Sequence, residues 1–262
     1  MRFLRNDVLF TIGGFAIVLS ILLIWQIVSI TNIIPSSIFP PASKVLVALF
    51  QETVDGKIGS SLLATLERML EGFAIASVIG VLVGVGIGSN VAISRSFDPL
   101  IQFLRPLPAV ILIPLIILYF GLGEPVIVIP VIFGCIWPVV LNTIDGVRSV
   151  DTMYLATADE FKIKGLGRFT KIIIPAISPF VLSGMRVSLA LAWIVSVTAE
   201  FISAVVKTGI GVLIFYQFNA GNLTGMYASI FAVAIVAYLV NKIFVAIQNR
   251  LVPWHGRWQQ AP

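Results

Sequence analysis

The sequence predicts an all-α membrane protein, and three observations carry that expectation. Of 262 residues, 58% are hydrophobic and only 11% are charged, with a mean hydropathy of +1.05. A soluble domain carries about 25% charged residues, so this chain has too little polar surface to cover itself in water. The apolar residues gather into six runs near the twenty that a helix needs to cross about 30 Å of hydrocarbon. The basic residues are distributed asymmetrically about those runs.

The runs are residues 9–30, 66–88, 107–122, 126–144, 179–206 and 226–247. Every intervening segment is short, so residues 1–262 read as one transmembrane domain. With the N-terminus in the cytoplasm, twelve of the 17 basic residues fall on the cytoplasmic side or its edge. Lys44, Lys57 and Lys207 fall outside, and Arg68 and Arg186 sit at span edges. This asymmetry places both termini inside. The net charge of +5 therefore reads as topology and calls for no nucleic-acid partner. Cys135 is the sole cysteine and His255 the sole histidine, which excludes an intrachain disulfide and a histidine-rich metal site.

The first run comes after Arg2 and Arg5. It is longer than a signal-peptide core and no A-x-A site ends it, so it reads as a retained span. The outer segment 31–61 contains Pro35, Pro40 and Pro41, then Val45, Leu46, Leu49 and Phe50 at helical spacing. That spacing predicts a short amphipathic helix on the outer surface. It reads as an interfacial anchor or as part of a docking surface for an external partner. The second run carries Gly72, Ala76, Gly80, Gly84 and Gly88. Spaced by four, these small residues form one stripe that allows close helix approach.

The third run is broken by Pro108 and Pro114, begins just after Pro106, and ends at Gly121 and Gly123. Such interruptions are tolerated where neighbours or a cavity satisfy the freed carbonyls, so a pathway wall or hinge is expected there. After the fourth run, nine charges fall within residues 145–171. Asp151 is placed to cap a helix starting at Thr152. Met153, Leu155, Ala156 and Ala158 suit that helix, Gly165 and Gly167 interrupt the segment, and Pro175 precedes the fifth run. A compact helical protrusion that inserts into a partner is expected, a solvated basic loop being the plainer reading.

The fifth run has its own stripe: Gly184, Ser188, Ala192, Ser196 and Glu200. A carboxylate at mid-bilayer costs about 2.5–3.5 kcal/mol on insertion scales, so Glu200 should face protein or water. Two readings stay open: a structural pair with a basic group such as Arg68, or a place beside an aqueous pathway near its outer gate. Ser188, Ser196 and Trp193 are placed with Glu200 as candidate pathway residues, core packing being the plainer reading for Trp193. Before the sixth run, Gly209 and Gly211 break the chain and an interfacial helix of about two turns is expected.

No phosphate-binding loop occurs, since Gly56-Lys57 lacks the preceding glycine and is followed by Ile58. No metalloprotease or nucleophile-elbow motif is present either. The chain therefore reads as a non-enzyme with no cofactor of its own.

Residues 155–175, LATADEFKIKGLGRFTKIIIP, resemble the "EAA" coupling loop of ABC importer permeases. The upstream stretch LRPLPAVILIPLIILYFGLGE and the downstream SGMRVSLALAWIVSVTAEFI are similar to the branch serving nitrate, sulfonates, taurine and bicarbonate. The ending Pro253-Trp254-His255-Gly256 is most similar to taurine-type permeases. Aligned on Pro175, Ala156 stands where that family has Glu, Thr157 and Ala158 at its two alanines, and Lys162 at its usual Gly, with Gly165 three residues late. Glu160 is placed to substitute for the missing Glu one turn later.

The resemblance implies a six-helix type I importer domain whose coupling helix lies between spans four and five. It implies a homodimer of two permease copies in the bacterial inner membrane, embedded in membrane lipid. A cytosolic ABC ATPase homodimer would hold ATP and Mg, and an external or periplasmic binding protein would deliver a small anion, with taurine or another sulfonate foremost. Ala156, Thr157, Ala158, Glu160, Lys162, Gly165 and Pro175 would then couple to the ATPase. The alternative is an ion-coupled secondary transporter, which needs several intramembrane ionisable residues or repeat halves; Glu200 alone is thin support for it.

Overall fold

The computed structural model describes residues 2–204 and 206–253. Trp254, His255 and Gly256 of the taurine-like ending lie outside the described residues. Among the described residues the regular structure is entirely helical.

Helix α1 (Arg2–Ile30) covers the first expected span. Polar contacts tie it to the segment that leads into the second helix. Trp25 Nε1 donates to the Pro40 carbonyl at 3.0 Å, and Ser29 Oγ donates to the Phe39 carbonyl at 2.6 Å. Helix α2 (Ala42–Val54) is the expected amphipathic helix. Val45 is buried while Leu46 and Phe50 are exposed. Helix α3 (Lys57–Gly88) begins well before the apolar run, with Gly56 in the left-handed region at its start.

The third expected span, 107–122, is not a single helix. Helix α4 (Val91–Leu104) is succeeded by a 3₁₀ turn (Ala109–Leu112) and the short helix α5 (Ile113–Phe120). The two limbs meet at 82°. Pro106 and Pro108 cause the break, because proline donates no hydrogen bond and disfavours helix in the residue before it. Pro114 is tolerated because it sits in the first turn of α5, where its missing N–H costs nothing.

Helix α6 (Pro125–Arg148) is the central element, flanked by α3 and by the long helix over Ile174–Ser203. The loop beyond it holds helix α7 (Thr152–Glu160) and a single turn, α8 (Leu166–Arg168). A π-helical turn (Phe169–Ile173) then leads into α9 (Ile174–Ser203). The wide turn sits immediately before Pro175, whose ring would crowd the carbonyl four residues back. Helix α9 stops at Ser203, with Ala204 left-handed, so the expected run to residue 206 overshoots by three. Helix α10 (Ile210–Asn219) and the long α11 (Leu223–Leu251) complete the bundle.

Among the described residues, four helices are long and apolar enough to cross a membrane, and five if the bent pair counts as one span. They are α3, α6, the continuous run into α9, and α11.

The two small-residue stripes explain why α6 is central. A Cβ on Gly72 would lie 2.7 Å from Val131, one on Gly80 2.8 Å from Val139, and one on Gly84 2.6 Å from Thr143. Gly88 meets Val147 in the same way. On the other side, a Cβ on Gly184 would lie 2.7 Å from the Pro138 carbonyl. Both stripes therefore let helix backbones approach α6 more closely than any larger residue permits. Lipid supplies no hydrophobic drive between helices, so such close contact is the source of cohesion. Met69, Val131, Cys135, Leu189 and Trp193 fill the centre of this packing.

Candidate functional site

The end of the bundle remote from the 145–175 loop is held by a buried ion cluster. Arg68, on α3, reaches both Glu124 at the start of α6 and Glu200 in the last turn of α9. Its Nη1 donates to Glu200 Oε1 at 2.8 Å and to the Thr208 carbonyl at 2.7 Å. Its other edge grips Glu124: Nε donates to Oε2, and Nη2 donates to Oε1 at 3.1 Å. Each of these three nitrogens meets an oxygen, as a buried charge requires.

The two carboxylates are not equivalent. Glu200 is 0% exposed, whereas the side chain of Glu124 is 60% exposed. Glu200 also accepts from Thr65 Oγ1 at 2.8 Å and from the Gly211 amide at 3.0 Å. Thr65 in turn accepts from the Ile210 amide at 2.8 Å. An acid in the last turn of α9 is at the unfavourable end of that helix; the first-turn amides of α10 supply the compensating positive end. This geometry needs glycine at two positions. A Cβ on Gly209 would lie 2.6 Å from the Glu200 carboxylate, and one on Gly211 would lie 2.4 Å from the Val197 carbonyl.

Glu200 is thus in the structural pair with Arg68 that its burial demands. The spacing of four marks Glu200 in the sequence, and Arg68 is the basic group expected beside it. Thr65, Glu124, Thr208 and the α10 amides are additional members. No local pattern marks Glu124 and Thr208, which lie 56 and 140 residues from Arg68, whereas Thr65 is three positions before Arg68 on the same helix and the α10 amides follow the glycine break. The other candidate pathway residues occupy packed positions within this chain. Ser188 Oγ donates to the Cys135 carbonyl at 2.6 Å, and Cys135 Sγ donates to the Ser188 carbonyl at 3.2 Å. Ser196 is fully buried on the same stripe, and its hydroxyl has no hydrogen-bond partner among the described residues. Trp193 belongs to the central packing, with one side on a groove of about 450 Å³ between α9 and α11.

At the opposite end, the loop forms the expected protrusion. The Met153 amide donates to Asp151 Oδ1 at 2.8 Å, so Asp151 caps α7 as its type and position imply. Ala156, Thr157 and Glu160 are exposed along the helix, and Thr157 Oγ1 donates to the Met153 carbonyl at 2.8 Å. Ala158 is 1% exposed; it packs inward and does not present a surface. The exposed apolar groups are instead Met153 and Phe161, 67% and 74% exposed, together with Tyr154.

The helix ends in a Schellman turn. The Ile163 amide donates to the Ala158 carbonyl at 2.8 Å, with Lys162 left-handed at φ +53°. Lys162 therefore adopts a backbone conformation that glycine would hold freely, at about 1–2 kcal/mol of strain for a residue with a Cβ. The departure in sequence leaves the turn intact. Gly165, φ +56°, turns the chain again before α8, and Pro175 is the second residue of α9.

Residues 76–256 match the family described as the binding-protein-dependent transport system inner membrane component. The chain is 29% identical to the taurine transport system permease protein TauC of Escherichia coli, over 98% of this chain and 93% of that one. It is 26% identical to the bicarbonate transport system permease protein CmpB of a Synechocystis species, over 95% and 90%. It is 30% identical to the nitrate import permease protein NrtB of Leptolyngbya laminosa, over 72% and 67%. Among solved structures, a chain of the MetNI methionine ABC transporter in an inward-facing form matches with a TM-score of 0.65 at 18% identity. That match covers 77% of this chain and 98% of the other, and shows the shared fold. With its central α6 flanked by two small-residue stripes and its capped helix between α6 and α9, the chain belongs to the family of inner membrane components of binding-protein-dependent transport systems.

Proposed function

We propose that this chain forms the translocation pathway of an ATP-driven importer for a small solute with an anionic head, with taurine or another sulfonate the leading substrate. The observation that carries this reading is the protrusion at α7. A capped helix with exposed Met153, Tyr154 and Phe161 nearby stands between α6 and α9, two helices packed extensively against each other. Exposed apolar side chains at the tip of an otherwise charged loop fit a cleft in a cytosolic partner. Because α6 and α9 flank that loop directly, a displacement of α7 is passed to the membrane helices over a short path.

The partner is a homodimeric cytosolic ABC ATPase that holds ATP and Mg; this chain contributes no nucleotide-binding residue. A second copy of the chain completes the pathway, an external or periplasmic binding protein delivers the solute, and both termini lie in the cytoplasm. Ala156, Thr157, Glu160, Lys162, Gly165 and Pro175 shape the coupling segment, and Ala158 anchors it. Glu200 and Arg68 close the outer end as a gate, with Ser188, Ser196 and Trp193 in the packing that moves with them. The names of similar permeases, which include taurine, bicarbonate, sulfonate and nitrate systems, support an anionic solute.

Reconstitution in proteoliposomes with the ATPase and binding protein tests the reading. ATP on the cytosolic face should drive uptake of labelled taurine. Uptake that ignores ATP and tracks an imposed proton or sodium gradient would overturn it.

A further inference from the structure

Among residues whose side chains are described, Arg68 is the one buried basic side chain, and its two edges are held very differently. Nη1 is fixed by buried Glu200 and the Thr208 carbonyl. Nε and Nη2 face Glu124, whose side chain is 60% exposed. Two parallel N–H groups on one edge of a guanidinium match a carboxylate, a sulfonate, nitrate or bicarbonate equally well.

Glu124 is also placed to leave. It comes just after Gly121 and Gly123, both at positive φ (+75° and +149°), so the chain before it adopts conformations open chiefly to glycine. It occupies the N-cap of α6. On leaving Arg68 its carboxylate meets water and the positive end of that helix. The guanidinium keeps its orientation through Nη1 meanwhile. An incoming monoanion would replace one negative charge by another, so the exchange leaves the charge of the buried cluster unchanged. Buried Glu200 compensates Arg68 throughout, so the exchange never strands a buried charge.

We propose that the Nε/Nη2 edge of Arg68 is a binding station for the anionic head of the transported solute, and that Glu124 occupies it when the solute is absent. The station rests on the reading of this cluster as the outer end of an anion pathway. It adds Arg68 as the residue that touches the solute and Glu124 as its competitor.

The test uses Glu124→Cys in the complete transporter in nanodiscs. Cys135, the only native cysteine of this chain, is buried, so labelling read on this chain after it is separated from its partners reports position 124. An anionic methanethiosulfonate should react on the order of tenfold faster than its trimethylammonium counterpart, after correction for intrinsic reactivity, because Arg68 focuses negative charge there. Methanesulfonate or nitrate should slow labelling, and glycinamide should not. Adding Arg68→Lys keeps the charge but removes the fork, so the rate preference should persist while protection by methanesulfonate falls. Equal protection by the cation and the anions would overturn the station while leaving the gate reading in place. If neither reagent labels the introduced thiol, with or without ATP, both the station and the gate reading fail.

Discussion

Replacing Arg68 should cost more than replacing its buried partner, and replacing both should cost less than replacing Arg68 alone. In Arg68→Gln, Glu200 remains fully buried with only Thr65 and the Gly211 amide beside it. Breaking a buried pair in this way costs about 3–5 kcal/mol. In Glu200→Gln, Arg68 keeps Glu124 and the Thr208 carbonyl. The loss is then that of one charged hydrogen bond, about 1.5–3 kcal/mol. The double variant removes the stranded charge and leaves Glu124 in water, where an unpaired carboxylate costs little. The second substitution should therefore restore about 1–3 kcal/mol to Arg68→Gln, within the range seen for directly coupled neighbours. Thermal unfolding in nanodiscs, monitored by a thiol-reactive fluorophore at buried Cys135, measures the order; each kcal/mol is worth about 2–4 °C in a chain of this size. A double variant less stable than Arg68→Gln would overturn this order.

The stripes and the loop give further outcomes. Gly84→Ala should destabilise by about 1–3 kcal/mol, because its Cβ would meet Thr143 at 2.6 Å. Gly86→Ala on the same helix, with open space around it, should be neutral or gain up to about 1 kcal/mol from helix propensity; the same unfolding assay compares them. Lys162→Gly should relieve about 1–2 kcal/mol of backbone strain at the end of α7, seen as slower amide exchange at Ile163. Phe161→Asp should lower co-purification of the ATPase at least several-fold while membrane insertion and the unfolding temperature stay unchanged. Ala158→Glu should instead disrupt α7 itself, which proteolysis of the 145–175 segment reports.

Helices and their packed faces are legible in the sequence because both depend on short-range spacing. Five small residues spaced by four name the face of α3 that meets α6 without any knowledge of α6. Asp151 and Thr152 likewise announce the start of α7. The bend at residues 105–108 is harder to read: the prolines are visible, but an apolar run gives no angle. Glu124 is legible only as a polar residue after a glycine pair, since the side chain it meets lies 56 positions away. The left-handed Lys162 is hidden for another reason. Lysine carries no local preference for that conformation, and the Schellman turn imposes it. The resemblance implies Ala158 as an ATPase-coupling residue, yet it is 1% exposed and packs inward.

The contacts of α6 also bear on mechanics. The close fits at Gly72, Gly80, Gly84 and Gly88 on one side and at Gly184 on the other leave no slack between backbones. The crossed Cys135–Ser188 hydrogen bonds pin α6 to α9 near their midpoints. Three helices joined in this way slide little against one another, while Pro130 and Pro138 inside α6 and Pro179 inside α9 are points where each can bend. A helix of 30 residues is about 45 Å long. On the proposed coupling role of α7, a thrust of a few ångströms there would be carried along this packed unit toward Arg68, with give at the π-helical turn, at these prolines and at the glycine-flanked Glu124 corner. The packed unit would then work as a lever arm jointed at its two ends and at its prolines.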